Sequence, residues 1–365
     1  MCIIHKGFSG FRVLSPASIL VRNLIGLESA IPYEIIHSPL QVIVQHPPEF
    51  TNLTQNKKSI NMKAINRTTL FLILTFVITY LLAGIYKLSG GDITNRIGFT
   101  VLGAIIMFMP SISVIIIKKF IHHEKIKEDL FISFKINKWF FIAWLIIPVI
   151  MFFSLGISLL FPDVIYSPEM SGFINRFESM LTPTQIEQMK NSLTTLPINP
   201  IWLFLIQGMI AGVTINAIAA FGEELGWRGF LLKEFKEMTF FKAAIIIGFI
   251  WGIWHAPLIL MGWNYPQHPQ IGVFMMTIFC ILLTPLLLYI SIKSKSVIAA
   301  AILHGTMNGT YSISLMLTDG GNDLTVGLTG LSGFIALTIV LICLFIYDYF
   351  ISKEKILINK INNYL

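Results

Sequence analysis

Apolar residues in this chain come in long unbroken blocks, without the regular polar interruptions of a half-buried surface helix or strand. The blocks run over 69–86, 97–117, 139–160, 201–232, 243–261, 271–292, 297–317 and 328–349. A bilayer core of ~30 Å requires ~20 helical residues to cross it, and backbone polar groups inside it must find their partners within the segment. The pattern predicts an all-α polytopic membrane protein with about eight transmembrane helices.

Residues 1–61 read differently. They are mixed and loop-like, carry Pro16, Pro32, Pro39, Pro47 and Pro48, and contain no block long enough to span. No basic segment leads into a clean apolar core, so a signal peptide is not expected. Met62 begins Met-Lys-Ala-Ile-Asn-Arg, a basic lead-in to a first membrane helix. The extension is therefore expected to be either disordered or untranslated, with Met62 as initiator. The remaining chain divides into 62–199 (first helices and an outer loop), 200–317 (a polar-motif core) and 318–365 (a last helix and basic tail). In the outer loop, Thr182-Pro183-Thr184-Gln185 has the form of a helix start. Ile186, Met189, Leu193 and Leu196 follow at helical spacing, which predicts an amphipathic surface helix, more a structural plug than a gate.

Composition agrees: 55% hydrophobic and 12% charged residues, with a mean hydropathy of +0.75, are outside the range of soluble domains. The net charge of +7 invites a nucleic-acid reading, but the placement of the charges answers it. Lys118, Lys119, Lys125, Lys127, Lys135 and Lys138 fill the second connection, Lys233, Lys236 and Lys242 the fourth, and Lys293 and Lys295 the sixth. Lys57, Lys58, Lys63 and Arg67 precede the first helix, and Lys353, Lys355 and Lys360 follow the last. The alternate connections hold only Lys87, Arg96, Arg176 and Lys190. By the positive-inside rule both termini are cytoplasmic, the partner is the lipid bilayer, and no nucleic acid is implied. Cys2, Cys280 and Cys343 are too far apart in sequence to suggest a disulfide framework or a CxxC metal site.

Against this background, Phe221-Gly222-Glu223-Glu224-Leu225-Gly226-Trp227-Arg228-Gly229-Phe230 stands out, because ionisable groups at membrane depth are costly and face interior cavities. Glu224 and Arg228 are four apart and can pair on one helix face. Glu223 is rotated about 100° from Glu224, on the face of Asn216 and Trp227, and is free to face a cavity. Gly222, Gly226 and Gly229 form a stripe that permits close helix packing. Taken alone, the pair could be mere glue between helices. The same holds for His255 beside Pro257, and for His304 and Asn308, which share a helical face.

Depth favours one shared site. Counting 1.5 Å per residue from the nearest basic connection, Glu223 is about 15 Å from Lys233, His255 about 19 Å from Lys242 and His304 about 13 Å from Lys295, all reachable from the cytoplasm. A carboxylate, two imidazoles and an amide at one level suit hydrolysis, with Glu223 as general base and His and Asn donors for an oxyanion. Two His and one Glu also make a reasonable zinc set with an open position, although no His-Glu-x-x-His is present and the sequence does not require a metal. His122-His123-Glu124 reads as a solvated loop.

Glu223-Glu224-x-x-x-Arg228, Trp251-x-x-x-His255 and His304-x-x-x-Asn308 resemble, in order and spacing, the three motifs of the CPBP family. That family comprises the type II CAAX prenyl endopeptidases and the Abi-type, bacteriocin-processing intramembrane proteases. The similarity covers residues 201–317. It implies endoproteolysis of a membrane-tethered protein or peptide, with Glu223 activating water, His255 positioning it, His304 and Asn308 forming the oxyanion site, and Glu224 and Arg228 in support. Metal-dependent and metal-free mechanisms are both argued for such proteins. The aromatic of the second motif, usually Phe, is Trp251 here, which narrows the space near His255. Two other classes stay open on sequence: a non-catalytic scaffold or immunity protein on the same fold, and a proton-coupled transporter, for which no inverted repeat is found.

Overall fold

The computed structural model describes residues 66–126, 130–172 and 199–365, and between 173 and 198 only positions 174, 184, 186–188 and 191. The extension over 1–61 and the expected helix start at Thr182, Pro183 and Gln185 lie outside the described residues.

Each apolar block becomes helix, and many start at a polar residue whose side chain satisfies an orphan backbone N–H. Asn66 opens α1 (Arg67–Leu88) and Asn95 opens α2 (Arg96–Met107). α3 (Met109–Ile115) runs on through a π-helical turn over Ile116–Ile121. Asn137 caps α4 (Lys138–Ser158), and Asn199, followed by Pro200 at the first position, caps α5 (Pro200–Val213). α6 (Ile215–Glu224), a second π turn over Leu225–Phe230, and α7 (Leu231–Glu234) form one bent unit with α5, broken at Thr214 by 50°. α8 (Phe240–Trp254) and the short α9 (Ala256–Leu260) meet at His255. α10 (Pro269–Ser294) is followed by α11 (Val297–Thr310), capped by Ser296, and by the single turn α12 (Ile313–Met316). α13 (Leu331–Ile346) ends in a third π turn, Tyr347–Ile351. A two-residue antiparallel pair joins β1 (Ile165–Tyr166) to β2 (Thr318–Asp319), registering Ile165 with Asp319 and Tyr166 with Thr318.

Among the described residues, five helical stretches are long and apolar enough to cross a membrane: 67–88, 96–121, 138–158, 269–294 and 331–351. The bent pair α5 with α6–α7 makes a sixth. The remaining two apolar blocks, around His255 and Asn308, fold as shorter helices because each is interrupted. Pro257 lacks an N–H just past the α8–α9 break, and α11 stops at Thr310. The chain is thus a multi-pass helical membrane protein.

Lipid-facing and interior residues separate accordingly. Ile85, Ile97, Phe141, Val149, Ile206, Ile215 and Phe274 are exposed, while α8, α10 and α11 supply much of the buried centre. α8 runs along α10, and α11 packs against α6, α5 and α4. These crossings are close enough to need glycine. A Cβ on Gly252 of α8 would lie 2.4 Å from Thr277 Cα of α10, and one on Gly305 of α11 would lie 2.6 Å from Ala217 N of α6. The Gly222–Gly226 stripe does the same work against the α2–α3 junction: a Cβ on Gly222 would meet Met107 O at 2.5 Å, and one on Gly226 would meet Pro110 Cβ at 2.6 Å. Since the obstruction at Gly252 is backbone, it cannot rotate aside. Gly252→Ala is expected to lower stability by about 1–3 kcal/mol through overpacking, read as a fall in the thermal unfolding midpoint of the detergent-solubilised protein.

Candidate active site

The electrostatic centre is Arg228, fully buried at 0% exposure in the π turn after α6. Its Nη1 donates to Glu224 Oε1 at 3.0 Å and its Nη2 to Thr284 Oγ1 of α10 at 2.9 Å, while the guanidinium carbon lies 4.2 Å from the centre of the Trp251 ring on α8. The i,i+4 pair expected from sequence is present. Glu224 serves a second partner as well, because its Oε1 also takes a hydrogen bond from His304 Nδ1 of α11 at 2.8 Å. Glu224 Oε2 and Arg228 Nε are buried without partners among the described residues, so these hydrogen bonds only partly offset the desolvation of the pair.

Glu223, one residue earlier, faces a different way. Trp251 Nε1 donates to its Oε2 at 2.7 Å, and its carboxylate forms part of the wall of a cavity of about 250 Å³. His255 Nδ1 lies 2.8 Å from Trp251 O. A carbonyl only accepts, so Nδ1 carries the proton of the neutral ring and Nε2 is an acceptor. The His255 ring is held between Trp254 at 4.9 Å, Trp251 at 5.5 Å and Trp263 at 6.0 Å, measured between ring centres. His304 lies 5.4 Å from the Trp251 ring. Asn308, one turn beyond His304, is exposed on the same cavity. All the expected site residues are therefore together: Glu223, Trp251, His255, His304 and Asn308 line the cavity, and Glu224 and Arg228 lie immediately behind it.

Trp227, placed by α-helical spacing on the face of Glu223, turns elsewhere. The π turn carries an extra residue per turn and swings its ring onto Phe71 and Trp254, at 5.5 and 5.7 Å. Thr284 belongs to none of the sequence motifs, although a polar residue directly before Pro285 inside an apolar run is a usable signal. Trp263, Asn264 and Tyr311 also line the cavity and carry no such signal.

The cavity has a direction. From the level of Glu223, His255 and His304 it continues to Trp263 and Asn264 in the loop after α9, and to Leu328 and Thr329 in the loop before α13. Both loops lie at the lysine-poor ends of the helices. Toward the lysine-rich ends, Trp227, Phe230, Leu231, Leu232, Leu283, Leu287, Leu288, Val297 and Ala300 are fully or almost fully buried and make a solid floor. Depth counted along the sequence suggests an approach from the lysine-rich side, whereas the described lining extends toward the lysine-poor loops. The breaks at His255 and Thr310 shorten α8 and α11 and bring the lysine-poor loops down to the level of Glu223, His255 and His304.

The residues do not fit a metal centre. Among the described residues no three His, Cys, Asp or Glu side chains are grouped to hold one ion. The nearest thiol, Cys280, lies 4.0 Å from His255 Nδ1, a nitrogen already turned to the Trp251 carbonyl.

Comparison with known proteins agrees with the motifs. Residues 197–310 match the family model of the Rce1-like type II CAAX prenyl endopeptidases. The chain is also 27% identical over 303 residues to CAAX prenyl protease 2 of Methanococcus maripaludis, covering 79% of this chain and 96% of that protein.

The two adjacent glutamates should separate experimentally. Glu224→Gln leaves the Arg228 charge buried without its counter-ion and is expected to cost about 3–5 kcal/mol. Glu223→Gln keeps an acceptor for the Trp251 indole and should leave the unfolding midpoint within about 1 kcal/mol of wild type. Parallel thermal melts of the two variants check this.

Proposed function

We propose that the chain, whose residues 197–310 match the Rce1-like type II CAAX prenyl endopeptidases, hydrolyses a peptide bond in a membrane-tethered protein or peptide with water activated by Glu223. The observation that carries this reading is the division of labour between the two glutamates: Glu224 is consumed by Arg228 and His304, while Glu223 keeps one oxygen for the cavity. In this reading the acceptors Glu223 Oε1 and His255 Nε2 hold the two hydrogens of a water and turn its lone pair to the scissile carbonyl. The water oxygen bonds to the carbonyl carbon as Glu223 takes its proton. His304, whose Nδ1 is paired with Glu224 Oε1, lies on the same cavity wall as Asn308 and belongs with it to the oxyanion site in this reading. With the Asn308 amide it stabilises the oxyanion in a site shielded from bulk water. Collapse of that intermediate breaks the carbon–nitrogen bond, and the proton held by Glu223 passes to the leaving nitrogen.

The relative's name identifies it as a CAAX prenyl protease, and a prenylated C-terminal segment is the substrate class this reading favours. An apolar cavity wall supports it: Met276, Phe279, Met307 and Leu328 can accept a lipid-modified chain beside the catalytic groups.

Glu223→Gln is expected to reduce cleavage of a farnesylated CAAX peptide in proteoliposomes by about 10²–10⁴-fold while the protein stays folded. Undiminished cleavage would remove Glu223 as base.

The lysine distribution supports eight crossings and cytoplasmic termini, which would put the cavity mouth on the opposite membrane face. In a cysteine-free background, Gln270→Cys, exposed in the first turn of α10 at the lysine-poor end, should react with a membrane-impermeant maleimide on intact cells, and Lys236→Cys only after permeabilisation. The reverse pattern would place the mouth in the cytoplasm.

A further inference from the structure

A second cavity, of about 620 Å³, lies at the lysine-rich end of the bundle, where the first turn of α1, the π turn after α3, α7 and the C-terminal tail meet. Its wall carries four cations, Arg67, Lys118, Lys233 and Lys236, and two carboxylates, Glu124 and Glu234. Glu124 is taken up by Arg67 and by Lys118, the latter at 3.0 Å, and Glu234 lies 3.9 Å from Arg67. Lys233 and Lys236 have no carboxylate partner among the described residues; the Lys233 ammonium instead stands over the Phe131 ring, 4.7 Å from its centre. Even with the terminal carboxylate of Leu365 counted, the described residues of the lining carry one positive charge in excess.

Two further features select the ligand. The apolar side chains Leu130 and Phe230 line the same cavity, so its wall is amphipathic. The tail holds the basic loop in place: Asn362 N donates to Lys236 O at 2.8 Å, Ile361 N to Met238 O at 3.1 Å, and Phe240 N to Asn359 O at 2.9 Å. The cavity thus lies where two apolar helical units end, α1 at its start and the bent α5–α7 unit at its finish, with ammonium groups and apolar side chains in one lining. That is the arrangement that binds anionic headgroups between helices on a basic membrane face.

We propose that this cavity binds a phosphate-bearing anion, with a phospholipid headgroup of the lysine-side leaflet as its source. The site is independent of the proteolytic reading, but it sits on the same helical unit. Lys233 and Glu234 belong to α7, which continues the helix carrying Glu223 and Arg228, and occupancy ties that unit to α1 and to the tail.

Native mass spectrometry of the full chain, released from bilayers of phosphatidylcholine doped with phosphatidylglycerol, tests it. Wild type should retain phosphatidylglycerol selectively. Lys233→Gln with Lys236→Gln should retain it at least about tenfold less, since each cation near an anionic headgroup contributes about 1 kcal/mol. Lys353→Gln with Lys355→Gln removes the same charge from the tail and should behave as wild type. Lys236→Glu, at an exposed position that packing tolerates, gives a second variant with the same expected loss. If inorganic phosphate raises the unfolding midpoint of wild type but not of Lys236→Glu, while phosphatidylglycerol is not retained, the phosphate site stands and its source is soluble. Equal retention by the cavity and tail variants, or no response to either probe, overturns the proposal.

Discussion

Burying the guanidinium of Arg228 among apolar helices is the constraint on which the rest of this structure depends. An isolated charge there would cost far more than the fold could supply, so partners are recruited from several helices. Glu224 comes from α6, Thr284 from α10 and the Trp251 ring from α8, and Glu224 passes the connection on to His304 of α11. One cation therefore sets the rotation and depth of four helices. The glycines at 252 and 305 let α8 approach α10, and α11 approach α6, closely enough for short side chains to reach. Glu223 is left outside this network on its cavity side, and its freedom is a consequence of its neighbour's confinement.

Trp251 links the structural and the chemical halves of the site. Its ring lies against the Arg228 guanidinium, its Nε1 donates to Glu223, its backbone carbonyl accepts from His255, and its edge lies beside His304. A phenylalanine could supply the ring face but not the indole donor. In this chain one carboxylate oxygen of Glu223 is thereby fixed, and Glu223 and His255 line the same cavity.

The two ends of the bundle differ in kind. Toward the lysine-poor loops the helices break early and leave an amphipathic cavity lined by Glu223, His255, His304 and Asn308. Toward the lysine-rich end the same helices continue into closely packed core and then into a basic pocket covered by the tail. The helical unit from Ile215 to Glu234 traverses both regions, so a ligand held at one end bears on the element that presents Glu223 at the other.

Much of this was legible in the residues alone. Long apolar blocks specify membrane helices because the bilayer leaves the backbone no other way to satisfy its hydrogen bonds. The i,i+4 spacing of Glu224 and Arg228, and the shared depth of Glu223, His255 and His304, are properties of helical geometry and need no knowledge of the neighbours. Other features depended on what each side chain meets. That His304 bonds to Glu224, that Thr284 caps the guanidinium, that Trp227 leaves the cavity face and that Trp251 donates to Glu223 are decided by rotamers and by a π turn whose placement follows from packing against α1, α8 and α10. The direction of the cavity was likewise beyond the sequence. Hydropathy marks where a chain can cross a membrane, whereas the breaks at His255 and Thr310, and the loops they admit, exist only once neighbouring helices have fixed how far each one runs.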